Sequence, residues 1–274
     1  MDNRPIGYMD SGIGGLTVVK QALYELPNEA IRYLGDTARM PYGPRPASEV
    51  VQFAKEVATF LYHEDIKLLV VACNTATAQA LPQLQAALPI PVVGVIQPGV
   101  QAALRETTTN HIGVIATEGT VKANAYYDSL LALNPLAQVV QLATQPLVEV
   151  AEHENPGSAK VQHIVNEQLA PLRKEPIDTL VLGCTHFPLL AQAIQNAVGP
   201  DVTLVNAGAE AVATVSAILK KQDALHGLMP MVDHQDDDYY TTGNPEIFSG
   251  IASRWLGVPV EAKHLQIGKQ GLQK

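Results

Sequence analysis

The stretch that decides the fold is Lys67-Leu68-Leu69-Val70-Val71-Ala72-Cys73-Asn74-Thr75-Ala76. Its unbroken apolar run reads as a strand buried on both faces, the kind found in parallel sheets. The polar pair Asn74-Thr75 and the helical pattern after it set the strand's carboxyl end against the start of a helix. In open α/β sheets that end is where binding and chemistry are placed. The same phrase returns in Asp178-Thr179-Leu180-Val181-Leu182-Gly183-Cys184-Thr185-His186. The chain has two cysteines, and both stand at this punctuation point. The repetition predicts two similar halves that each present a thiol.

Working outward, strands and helices alternate. Strands are expected near 6–9, 31–35, 91–96, 110–117, 138–142, 202–205, 239–243 and 260–265. Helices are expected over 16–26, 47–63, 75–87, 121–131, 158–174, 188–198, 206–225 and 245–255, with another starting near Gln97. The tail from Gln266 reads as frayed. Such alternation predicts an α/β protein of two similar domains, with mostly parallel sheets flanked by helices and the active site in the cleft between them. The chain is expected to cross over near Pro98 and return near Asn206. That gives a discontinuous first domain, 1–97 plus 207–274, and a second of 98–206.

With 274 residues, 47% of them hydrophobic, the chain can build two cores without disulfide staples. A net charge of −9 and the lack of any basic cluster argue against a nucleic-acid or anionic-membrane partner. The apolar runs are strand-length, and Met1-Asp2-Asn3-Arg4-Pro5 does not open a signal peptide, so a cytoplasmic protein is expected. There the thiols stay reduced. Without a CxxC spacing or neighbouring ligands they make a poor zinc site, and the acidic stretch 226–238 lacks EF-hand spacing and reads as a solvated loop.

Other candidate positions carry two readings each. In Asp10-Ser11-Gly12-Ile13-Gly14-Gly15 the glycines suit a ligand-approaching turn, and Asp36 lies where a dinucleotide motif wants an acid. Thr17 occupies the third glycine position, however, and a carboxylate at Asp10 suits an amino group better than a pyrophosphate; helix capping is the alternative. In the proline-rich segment 38–46, Tyr42 and the Gly43 amide either line a pocket or pack the loop down. Thr117 and Thr120 either bind a ligand or cap a helix. Glu149, Glu152, His153 and Glu154 read as a solvated face.

A cysteine at a helix N-terminus has its thiolate favoured, with a pKa expected to fall from about 8.5 toward neutrality. One such thiol would serve a hydrolase. Two in mirrored contexts fit a racemase or epimerase, in which one sulfur takes a proton from one face of a carbon and the other delivers a proton to the opposite face.

The residues carry a resemblance at this point. Asp10-Ser11-Gly12-Ile13-Gly14-Gly15-Leu16-Thr17-Val18, Gly35-Asp36-Thr37 with Pro41-Tyr42-Gly43, Ala72-Cys73-Asn74-Thr75-Ala76, Gly113-Val114-Ile115-Ala116-Thr117 with Thr120, Gly183-Cys184-Thr185-His186-Phe187-Pro188 and Thr241-Thr242-Gly243 together resemble the glutamate racemases of the cofactor-independent aspartate/glutamate racemase superfamily. The resemblance implies that Cys73 and Cys184 are the acid/base pair. It implies that Asp10, facing the amino group, assists Cys73, and that His186 assists Cys184. Ser11, Asn74, Thr75, Thr185 and the Gly43 amide would hold the carboxylates, with Tyr42 nearby. It further implies no pyridoxal phosphate and no metal, D-glutamate supply for peptidoglycan, and a homodimer. Two departures stand out. The family's Ala-Cys-Pro stretch is replaced by Ala143-Thr144-Gln145-Pro146, so the site-adjacent acid is Glu152 by ungapped alignment or Glu149 by local pattern. Asn206-Ala207 replaces Asp-Ser or Asp-Pro at a helix start. A racemase of aspartate or a hydantoin, a nucleotide-binding protein and a non-catalytic amino-acid sensor are the competing readings.

Overall fold

The computed structural model describes residues 1–227, 236–269 and 271–274. In chain order, β1 (Ile6–Asp10) leads to α1 (Leu16–Glu25), β2 (Ile31–Gly35) to α2 (Ala47–His63), β3 (Leu68–Val71) to α3 (Asn74–Ala87), and β4 (Val92–Gly94) to α4 (Ile96–Glu106). Next come β5 (His111–Ala116), α5 (Glu118–Lys122), α6 (Ala125–Leu133), β6 (Gln138–Ala143), α7 (Pro146–His153) and α8 (Ala159–Gln168). β7 (Thr179–Gly183), α9 (Ala191–Val198), β8 (Thr203–Asn206) and α10 (Ala207–Lys221) follow. The chain closes with β9 (Asp238–Thr241), α11 (Pro245–Leu256), β10 (Ala262–His264) and the strands β11 (Gln266–Gly268) and β12 (Gly271–Gln273).

Two parallel sheets result. The first has the order β10-β9-β2-β1-β3-β4 and the second β6-β5-β7-β8. The run β2-β1-β3-β4 has the same connectivity as β6-β5-β7-β8. The two halves are therefore alike, as the repeated cysteine phrase requires. β1 and β3 lie side by side in one lobe, β5 and β7 in the other. Each pair marks the point where the chain reverses its direction of winding, so each lobe opens a crevice at its strand ends. β3 and β7 are buried along their whole length, which explains their unbroken apolar sequence. β6 is half-exposed and lies at a sheet edge.

Helices cover the sheets by their apolar stripes. α2 buries Val50, Ala54, Val57, Ala58 and Leu61, a three-to-four-residue repeat, and each of its valines and its leucine adds roughly 1.5–3 kcal/mol of burial. α10 is capped by Asn206, whose side chain accepts from the Gly208 and Ala209 amides at 3.1 and 3.3 Å. The asparagine does what the family's aspartate would do at that start. Buried Lys67 pairs with Glu29 at 2.5 Å and donates to the Asp2 and Ala224 carbonyls, which fastens the chain's N-terminal segment to the segment after α10.

Several expected boundaries shift. The helix expected over 121–131 is two, broken at Asn124, which takes a left-handed conformation at φ 53°. The expected helix 158–174 ends at Gln168 and continues as a tighter turn, and 188–198 likewise begins with a tight turn before α9. α10 stops at Lys221, short of 225. The tail from Gln266 is an antiparallel hairpin rather than frayed: Leu272 packs on the core beside α2, and Lys274 pairs with Glu64 at 2.8 Å. Most of the acidic stretch 226–238 lies outside the described residues. Among the described residues no helix is long and apolar enough to cross a membrane.

Candidate active site

Cys73 and Cys184 line one cavity, and both are free thiols. Ser11, Tyr42, Gly43, Asn74, Thr75, Thr117, Thr185, His186 and Glu152 share that wall. Asp10 sits just behind it at the end of β1, buried, accepting from the Gly12 amide at 2.8 Å and from the Thr185 hydroxyl at 3.3 Å. The residues converge because each follows a strand's carboxyl end: Asp10 ends β1, Cys73 follows β3, Thr117 follows β5 and Cys184 follows β7.

The two lobes are stitched across the cleft. Thr75 and Thr117 share a hydrogen bond of 2.9 Å, and Thr17 donates to the Thr185 carbonyl at 2.9 Å. Tyr126 donates to Asn74 Oδ1 at 2.7 Å, which leaves the Asn74 amide NH₂ free of that bond. The glycine turn is explained by this closeness. A Cβ at Gly14 would fall 2.3 Å from the Thr185 hydroxyl and 2.5 Å from the His186 ring. The turn is packed against the opposite lobe's site residues, and Gly14 makes room for them.

The surroundings of the two thiols differ. Cys73 caps α3; its sulfur accepts from the Ala76 amide at 3.4 Å and donates to the Ser11 hydroxyl at 3.7 Å. Burial and the Asp10 charge outweigh these contacts and push the thiol up to about 12. The expected fall toward neutrality does not occur here, because desolvation exceeds the helix-end effect. Cys184 has no α-helix directly after it; residues 187–190 form a tight turn first. Its sulfur instead faces His186 Nδ1 at 3.7 Å, while His186 Nε2 lies 2.8 Å from Glu152 Oε1. Burial opposes the imidazolium, but the bonds and charges of Cys184 and Glu152 overcome it and raise His186 to about 10. Asp10 is itself raised, chiefly by burial.

Glu152 is the acid that reaches the site; Glu149, three residues back on α7, is exposed. The reading of 143–154 as a solvated face therefore fails for Glu152, which the helix turns inward, and stands for His153, which points to solvent. Thr117 both caps α5 and lines the cavity; Thr120 bonds to Thr117 at 3.0 Å from behind. Asp36 lies outside the cavity wall. It is fully buried and accepts from Arg39 at 2.7 Å, Tyr42 at 2.5 Å and Thr242 at 2.8 Å. Tyr42 thus lines the pocket and is also tied down, so both of its readings hold. Met40, Gln145 and Val148 also line the wall and carried no local signal: nothing in a methionine, glutamine or valine at those places marks a site.

Two matching α/β lobes that bring one buried thiol each to a shared polar cavity define a two-thiol amino-acid racemase or epimerase type of protein. Residues 15–215 match the Asp/Glu/Hydantoin racemase family, and the chain belongs to it. It is 52% identical to a glutamate racemase of Pediococcus pentosaceus, over 97% of this chain and all of that one. It is 51% identical to one from Lactiplantibacillus plantarum, over 97% of each. Among solved structures, a glutamate racemase isoform from Bacillus anthracis superposes with a TM-score of 0.91 at 42% identity, covering 97% of this chain and 99% of that one. A Francisella tularensis glutamate racemase in complex with D-glutamate gives 0.87 at 34%, covering 96% and 97%.

Proposed function

We propose that this protein is a glutamate racemase that inverts the α-carbon of glutamate by proton transfer between two thiols, without a cofactor. The observation that carries the reading is the pair Cys73 and Cys184 on one cavity wall, contributed by different lobes and backed by different partners. His186, charged through neutral pH, donates to the Cys184 sulfur, so Cys184 takes the α-proton. The C–H electron pair stays on the carbon and spreads into the adjacent carboxylate. Cys73, held as a thiol, gives its proton to the opposite face. The reverse reaction exchanges the roles. Asp10 faces the amino group, and Ser11, Asn74, Thr75, Thr185 and the Gly43 amide hold the carboxylates. Closure between lobes excludes water from the exchanging protons.

The lobes correspond to residues 1–97 with 207–274 and to 98–206; the six-stranded and four-stranded sheets support that division. The enzyme acts in the cytoplasm as a homodimer and supplies D-glutamate for peptidoglycan, as the family resemblance implies.

The test is incubation of purified protein with L-glutamate in D₂O, with L-aspartate as comparator and no added cofactor. Glutamate should gain α-deuterium and lose optical rotation. Retention of both its α-proton and its rotation, or faster exchange on aspartate, would overturn the reading.

A further inference from the structure

Gln145 stands in the segment where the sequence departs from the family pattern. It lies between β6 and α7 and lines the cavity with both cysteines and Gly43. Its side-chain oxygen is buried and has no hydrogen-bond partner among the described residues. A buried amide left unpaired costs free energy that a bound polar group would recover. A Cβ at Gly43 would fall 2.2 Å from that oxygen and 3.0 Å from Thr117 Cβ. The Gln145 amide thus reaches over the cleft onto a loop position where no side chain fits. Gly43, Thr117, Thr75 and Gln145 make one polar end of the cavity.

The sulfurs keep other company. Cys73 contacts Ser11, Cys184 contacts His186, and Thr185 beside it bonds to Asp10. The carbon being inverted must lie between the sulfurs, so its amino and carboxylate substituents fall among those groups. The Gly43 end is then left for the far end of the substrate. An amide's oxygen and nitrogen are near-equal in shape, and the partner decides which one faces it. Offered an anionic oxygen, the NH₂ turns to it.

We propose that Gln145 is a specificity-determining residue that donates a hydrogen bond to the distal carboxylate of the substrate. The inference rests on the racemase reading and deepens it: it names the group that measures substrate length, which a diacid one carbon shorter does not reach.

The experiment compares wild type with Gln145→Ala and with Gln145→Met, which keeps the length and loses the donor. Racemisation kinetics on glutamate are measured beside competitive inhibition by 2-aminobutyrate, an amino acid without the distal carboxylate. KM for glutamate should rise on the order of tenfold or more in both variants, with kcat within about threefold and 2-aminobutyrate inhibition unchanged. A KM within twofold of wild type in both variants overturns the inference. So does an equal weakening of glutamate and 2-aminobutyrate, which would make Gln145 a packing residue. A wild type that does not racemise glutamate sinks the racemase reading and this inference together; an active wild type with unaltered variants sinks this inference alone.

Discussion

His186 spans two partners with one ring: its Nε2 is 2.8 Å from Glu152 Oε1 and its Nδ1 is 3.7 Å from Cys184 Sγ. The ring is buried, which by itself favours neutral imidazole, yet its two partners hold it charged up to about 10. Glu152→Gln removes the carboxylate and lets burial regain ground, so the basic limb of kcat/KM should move down by on the order of 1 pH unit. Stability carries the same sign. A group whose folded pKa lies above its unfolded value, about 6.5, stabilises fully below 6.5 and ceases to as pH rises through about 10. Urea midpoints of wild type and Glu152→Gln should therefore lie well apart at pH 6 and draw together at pH 10. An unchanged gap would mean that the pair does not set the histidine's charge.

The thiols supply the second prediction. Cys73→Ser and Cys184→Ser should each lower kcat/KM by roughly 10²–10⁴-fold, the usual contribution of a positioned acid or base. The two enantiomers have equal free energy in water, so the loss in kcat/KM must be the same from either side, whichever sulfur is changed. Polarimetry from both enantiomers, with melting temperatures as a folding check, measures this. A variant within tenfold of wild type would remove that cysteine from the reaction.

Both thiols, the parallel sheets and the pseudo-repeat were legible because one short pattern encodes them: a buried strand, a small residue, a cysteine and a helical stretch, written twice. The charge states were not. A helix N-terminus is visible in sequence, but the burial that lifts Cys73 to about 12 and the acid that lifts His186 come from chain segments far away. Glu152 shows the same limit. Its neighbours Glu149 and His153 are solvent-facing, and the turn of α7 that aims Glu152 inward is set by packing of Leu147, Val148 and Ala151. Gln145 showed only as part of a departure from the family's pattern, and nothing local marked it as a site residue, since its role depends on an absent side chain at Gly43, a hundred residues earlier.

Gly14 gives a test of lobe contact. A methyl group there would meet the Thr185 hydroxyl at 2.3 Å and the His186 ring at 2.5 Å, closer than side chains tolerate. The site residues must move aside or the lobes must part. Gly14→Ala should lower kcat/KM by on the order of 10–100-fold through misplacement of His186, with little change in melting temperature. Steady-state kinetics and calorimetry together decide it: a large fall in melting temperature with normal residual kinetics would locate the clash in the fold instead of the site.

Asp36, which the motif spacing singled out, works at one remove. Its carboxylate is fully buried and accepts from Arg39, Tyr42 and Thr242, while Arg39 also pairs with Glu56 at 2.5 Å and lies 4.2 Å over the Phe53 ring. These contacts hold down the loop that carries Tyr42 and Gly43 into the cavity. Removing one partner of a buried pair leaves the others uncompensated, at a cost of about 3 kcal/mol, because Glu56 still holds one end of Arg39. Asp36→Ala should therefore lower the melting temperature by roughly 10 °C. The loop's freedom should appear as a several-fold rise in KM, with kcat nearly kept, since the sulfurs' hydrogen bonds go to Ser11, Ala76 and His186 and not to this network. Tyr42→Phe, which deletes one hydroxyl and leaves the ion pair, should cost about 1 kcal/mol and shift KM less. Thermal melts and KM-against-kcat measurements on the two variants order these effects. A kcat that collapses in Asp36→Ala while KM holds would place the carboxylate in the proton-transfer step itself.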